Sequence, residues 1–157
     1  MMTHLLCDVL KALEGKALVS AESCTGGGIG AALTSVPGSS KVYKGGVICY
    51  SNWVKENILG VSGDLLSRNG AVSEPVARAM ATGVRKLLQA DVAISVTGLA
   101  GPDGDEFGRE VGTVYIGFDS HGITEVRCFC FSGDRESVRQ QAVRAALEMI
   151  LELVKEK

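Results

Sequence analysis

The stretch ALVSAESCTGGGIGAAL, residues 17–33, decides how the rest of the chain reads. Residues 17–21 read as a short, mostly apolar strand, and Ile29 to Leu33 suit a short helix. Between them stands Glu22-Ser23-Cys24-Thr25-Gly26-Gly27-Gly28. A strand, a glycine-rich turn and a helix in this order aim helix N–H groups and the positive end of the helix dipole at whatever sits on the turn. The turn also offers a hydroxyl and a thiol side by side, Ser23 and Cys24, which cannot both point at one substrate. Taken alone, the turn reads more simply, with Ser23 or Thr25 as a cap of the following helix.

Upstream, Leu5, Leu6, Val9, Leu10 and Leu13 fall at helical spacing before Gly15. Downstream, Gly46 to Tyr50 reads as a second strand, with Ser51 or Asn52 capping a short helix that carries Val54, Lys55 and Ile58 up to Gly60. Ser73-Glu74-Pro75 starts a longer helix that runs to about Gln89, and Asp91 to Thr97 is a buried-strand pattern. Then comes a loop, GLAGPDGDEFGR at 98–109, with four glycines. Loops of that size in a small domain are more often functional than idle. Thr113 to Phe118 and Thr124 to Phe131 read as a hairpin across Asp119 to Gly122, and a last helix from Asp134 carries an apolar stripe from Val138 to Leu153. The pattern predicts one domain over 1–157, an α/β fold built as a three-layer α/β/α sandwich on a mixed, mostly parallel sheet.

Composition narrows the function. The 157 residues hold 16 Lys and Arg against 18 Asp and Glu, a formal charge of −2, which argues against binding nucleic acid or an anionic membrane. No apolar run approaches the roughly 20 residues that span a bilayer, and the first residues lack the regions of a signal peptide, so a cytoplasmic protein is expected. The cysteines number five and have no zinc-site or disulfide spacing, which suits reduced thiols and no metal. Glycine, at 20 residues or about 13%, is well above its usual share of roughly 7%. Neither a Walker A pattern nor G-x-G-x-x-G spacing occurs, so ATPase and Rossmann readings gain nothing.

In open α/β sheets ligands gather beyond the carboxyl ends of the strands, which singles out loops 22–28, 50–55 and 97–110. A serine nucleophile there needs a base. His4 and His121 have no context suggesting a triad. Lys55, one helical turn after the second strand, is the preferred candidate, although a lysine at such a place is commonly just solvated. An ordinary lysine, with a pKa near 10.4, is neutral in only about one molecule in 2,500 at pH 7, so a basic Lys55 demands a dry or positively charged site. Arg135 and Arg139, beside Ser132-Gly133-Asp134 at the start of the last helix, can hold a phosphate or be an exposed pair one turn apart. Thr97 and Gly98 to Gly104 offer hydroxyl and backbone donors to a ligand, or form only a tight loop.

Taken together, Ala21 to Gly27, Tyr50-Ser51-Asn52 with Lys55, Gly70 to Val76, Ser95 to Pro102 with Gly104, Val111 to Val114 and Phe131 to Arg135 resemble the CinA C-terminal domain family, in order and spacing from about 5 to 155. The resemblance implies a nicotinamide-nucleotide amidase that converts nicotinamide mononucleotide to nicotinic acid mononucleotide and ammonia, with a Ser-Lys pair and neither metal nor cofactor. By position, Ser23 is the implied nucleophile and Lys55 its base, with Tyr50, Thr97 and Arg139 supporting or binding substrate. Backbone N–H groups at Cys24 and Thr25 would hold the oxyanion, and Gly26, Gly27 and Gly101 with Arg139 would meet the ribose phosphate. The implied partner is that small nucleotide, in a homo-oligomer. Longer relatives have an additional N-terminal domain of the molybdopterin-binding type, which this sequence does not show, so amidase activity alone is expected. Two alternatives stay open: a nucleotide-binding regulatory module without turnover, and a thiol nucleophile at Cys24.

Overall fold

A computed structural model describes residues 2–155. In chain order the elements are α1 (Met2–Ala12), β1 (Leu18–Glu22), α2 (Gly28–Thr34), β2 (Tyr43–Ile48), α3 (Asn52–Asn57), α4 (Gly63–Asn69), α5 (Glu74–Leu87), β3 (Val92–Gly98), β4 (Thr113–Ser120), β5 (Ile123–Cys130) and α6 (Arg135–Lys155), with a 3₁₀ turn at Ser39–Lys41. The strands form one sheet in the order β2-β1-β3-β4-β5. β1 pairs parallel with both β2 and β3, while β3–β4 and β4–β5 are antiparallel. Four strands therefore point one way and β4 runs against them, which is the mixed, mostly parallel sheet that the alternation of elements predicts.

Two cores hold the layers together. On one face α1, α2 and α6 bury Leu6, Val9, Ile29, Leu33 and Ile150 against Leu18, Ile94, Ile116 and Phe118. On the other, Val76, Met80 and Val84 of α5 join Val19, Ala21 and Ala93. β1 and β3 are buried on both faces, as strands covered by helices must be. Arg85 of α5 reaches across to Asp119 of β4 at 2.5 Å, a pair almost shielded from water. Among the described residues no helix is long and apolar enough to cross a membrane.

Details of the sequence reading shift. β2 begins at Tyr43 and ends before Cys49, because Gly45 and Gly46 pair with β1 and the chain must then leave the sheet to reach α3. α4, which the sequence pattern does not predict, lacks the long apolar periodicity of α5 and α6; it forms one short stretch, with Leu66 buried and Ser62 accepting from the Leu65 N–H. The β4–β5 turn is only His121-Gly122, with φ of 25° and 85°, so Asp119 and Ser120 stay in the strand. Ser51 caps α3 as expected, accepting from the Val54 N–H.

Candidate active site

Strand alternation assigns the chemistry at the end of β1. Side chains two apart share a face, so Ser20 and Glu22 lie on the α2 side, while Ala21 and the residue after the strand, Ser23, lie on the α3 side. Glu22 is buried, and its carboxylate accepts from four donors. Oε1 takes the Thr25 hydroxyl at 2.7 Å and the Ile29 N–H at 2.8 Å; Oε2 takes the Gly30 N–H at 3.0 Å and the Ser20 hydroxyl at 3.1 Å. The start of α2 is thus already occupied. The sequence aims those helix N–H groups at a ligand, but the group that sits there is the protein's own carboxylate, which the helix dipole stabilises. Gly26 and Gly27 close the turn at φ of 56° and 99°, a left-handed path that side-chain-bearing residues adopt only with strain.

On the opposite face Ser23 meets Lys55. The strand β3 anchors the serine backbone, whose N–H donates to the Val96 carbonyl at 2.9 Å. Lys55 is only 1% exposed, and its Nζ lies 3.0 Å from Ser23 Oγ, 2.7 Å from the Cys49 carbonyl and 3.2 Å from the Tyr50 carbonyl. Burial pulls its pKa below the ordinary lysine value. The three neighbours suit both protonation states. As an ammonium, Lys55 donates to all three oxygens; as an amine, it donates to the two carbonyls and leaves its lone pair for the Ser23 hydroxyl proton. Cys24 and Cys49 flank it, and burial pushes their thiols up to about 12 and about 11. Both stay protonated near neutrality, which counts against Cys24 as the nucleophile.

The pair opens into a cavity of about 470 Å³, within the range usual for small-molecule sites. Ser23, Cys24 and Lys55 lie on its wall with Tyr50, Asn52, Thr97, Gly101, Asp103 and Arg135. The structure therefore brings together Ser23, Lys55, Tyr50, Thr97, Gly101 and Cys24 of the expected site. Thr97 is tied back, its hydroxyl donating to the Ala71 carbonyl at 2.9 Å. The Cys24 N–H has no acceptor in another described residue, and neither has that of Thr25.

Four expected residues lie elsewhere. Thr25 and Arg139 border a second depression, behind the turn; Gly27 lines a third, beside β2; Gly26 lines none of these hollows. Arg139 is committed to the turn itself, with Nε donating to the Cys24 carbonyl at 3.0 Å and a terminal nitrogen donating to the Thr25 carbonyl at 3.2 Å. It braces the backbone of the turn from behind. Arg135, one helical turn earlier, is the arginine on the cavity wall. Glu22 and Asp103 escaped the sequence reading. The signal for Glu22 was present, a carboxylate on a buried strand one residue before a helix turn; for Asp103 nothing in the sequence separates it from its loop neighbours.

Comparison with known proteins establishes the family and the fold. Residues 2–154 match the CinA C-terminal domain. A putative competence-damage inducible protein of Bacillus subtilis is 44% identical over 144 residues, covering 92% of this chain and 34% of that protein. A CinA-like protein of Gemmatimonas aurantiaca is 45% identical over 139 residues, 88% of this chain and 32% of its own length. The chain spans about a third of the length of these relatives. Among solved structures, a CinA superfamily protein from Klebsiella pneumoniae superposes with a TM-score of 0.97 at 38% identity, covering 100% of this chain and 99% of that one. Another from Escherichia coli gives 0.95 at 38% identity, over 98% and 90%.

Proposed function

The chain belongs to the CinA C-terminal domain family, and from that premise we propose that it is a serine amidohydrolase of nicotinamide mononucleotide. The observation that supports this reading is the 3.0 Å approach of Lys55 Nζ to Ser23 Oγ in a buried setting that depresses the lysine. Neutral Lys55 accepts the Ser23 proton while Oγ attacks the carboxamide carbon. The oxygen of the tetrahedral intermediate takes its negative charge against the Cys24 N–H, which has no acceptor in another described residue and follows the nucleophile directly in the chain. Lys55, now an ammonium held by the Cys49 and Tyr50 carbonyls, returns its proton to the departing nitrogen, and ammonia leaves. Water then attacks the acyl-enzyme ester with Lys55 again as base, which frees Ser23 and the nicotinic acid nucleotide. All five cysteines are free thiols, in keeping with the reducing cytoplasm proposed as its setting.

The test is ammonia release from nicotinamide mononucleotide by the wild-type, Ser23→Ala and Lys55→Ala proteins. Turnover by the wild type alone sustains the reading. An active Ser23→Ala protein overturns it, and a wild type that binds the nucleotide without releasing ammonia replaces it with a regulatory module.

A further inference from the structure

The cavity has two ends, and Tyr50 joins them. Its backbone carbonyl accepts from Lys55 Nζ at 3.2 Å, while its phenol oxygen accepts from an Arg135 terminal nitrogen at 3.3 Å. The guanidinium is therefore tied to the base through a single residue, no farther off than a tyrosine's reach plus two hydrogen bonds. The other terminal nitrogen of Arg135 donates to the Gly101 carbonyl at 2.6 Å, so the side chain spans the cavity mouth from the loop before α3 to the loop after β3. Two of its five N–H groups are used in this way, and three remain without an acceptor among the described residues.

Arg135 is the one cation on the wall with N–H groups left over. Lys55 is the second cation there, but its Nζ is closed in by Ser23 and two carbonyls. Arg139 faces the other hollow and is held by the Cys24 and Thr25 carbonyls. The start of α6 is capped, with Asp134 accepting from the Ser137 N–H at 2.9 Å. Asp103, the one acidic residue on the wall, lowers the local positive potential. Recognition then rests on directed guanidinium N–H donors more than on net charge, and such donors pair best with the several oxygens of a phosphate.

We propose that Arg135 is the receptor for the phosphate monoester of the substrate and sets the preference for a nucleotide over the corresponding nucleoside. The proposal rests on the amidase reading, which puts the carboxamide at Ser23 and the phosphate at the far end of the same cavity.

The experiment compares kcat/KM for nicotinamide mononucleotide with that for its phosphate-free riboside in wild-type, Arg135→Gln and Arg135→Lys proteins. Arg135→Gln is expected to shrink the wild-type preference for the nucleotide about 10- to 100-fold, chiefly through KM. Arg135→Lys, which keeps the charge but loses the fork, is expected to retain part of it. A preference in Arg135→Gln within about twofold of wild type overturns the proposal, because a general structural defect lowers both substrates together and leaves their ratio intact. If the wild type releases ammonia from neither compound, the amidase reading fails, and Arg135 is judged by calorimetric binding of the nucleotide to Ser23→Ala with and without Arg135→Gln. A 10- to 100-fold weakening there upholds the anion site, and unchanged binding refutes it.

Discussion

The two halves of the sheet do different work. β2, β1 and β3 run parallel, and their carboxyl ends with the chain just beyond them supply Ser23, Lys55, Tyr50 and Thr97. Neither strand of the antiparallel half, β4 or β5, has a residue on the cavity wall, and the chain beyond β5 adds only Arg135, at the start of α6. The difference follows from connectivity. β1 and β2 are each followed by a crossover and β3 by the long 99–112 loop, and all three connections begin at the same end of the sheet, so loops distant in sequence accumulate there. A hairpin returns at once, and the β4–β5 turn is only two residues, too short to reach across the sheet. Its work is structural: Phe118 is buried in the core against α6, and Asp119 pairs with Arg85.

The comparison makes predictions of opposite character for the halves. Ser23→Ala is expected to lower kcat for ammonia release about a thousandfold or more, with the melting temperature close to wild type, because it removes one exchangeable oxygen and no packed carbon. A fall in stability of the same order as the loss of activity breaks the distinction between site and scaffold. Phe118→Ala should do the reverse. Removal of a fully buried ring costs about 3–5 kcal/mol in denaturant unfolding, while the kcat/KM of the protein that remains folded stays near wild type.

A third change sharpens the contrast from within the parallel half. Gly83 lies in the middle of α5, where alanine ordinarily gains about 1 kcal/mol of helix propensity. A Cβ there would collide with the backbone carbonyl of Leu59, in the segment that follows the Lys55 helix. Gly83→Ala is therefore expected to destabilise by about 1–3 kcal/mol. A stabilised variant would mean that α5 and this segment are not packed as closely as described.

The sequence disclosed much of the fold because the deciding elements obey simple rules. β1 and β3 are apolar runs bounded by turns, α5 begins at Ser73-Glu74-Pro75, and the α6 stripe repeats at helical spacing. Ser23 and Lys55 were legible as residues at strand ends. Their contact was not, since 32 positions separate them and the order of strands in the sheet brings them together. Arg139 misled for a related reason. Its place near a helix start suggests an anion, whereas the tertiary fold gives it two backbone carbonyls of a turn more than 100 residues away. Glu22 was passed over because a glutamate at a strand end looks solvated until α2 lays its N–H groups over it.

The pH dependence tests whether the buried half of the site is as dry as its geometry indicates. Burial lowers the Lys55 pKa, and the neighbouring Cys49 and Cys24 thiols would raise it if they ionised. Burial pushes both of them up, to about 11 and about 12, so near neutrality they remain uncharged and cannot support the ammonium. The base must be neutral, so kcat/KM for the nucleotide should rise about tenfold per pH unit on the acid side and level off below the ordinary lysine value near 10.4. Stability carries the same sign. Between the depressed pKa of the folded protein and 10.4 the unfolded chain binds the extra proton, so wild-type stability relative to Lys55→Ala increases with pH across that window and is constant on either side. A rate that still climbs through pH 10.4, or a stability difference that falls as pH rises, would mean that the fold stabilises the Lys55 ammonium instead of the amine, and the parallel half would then lack its base.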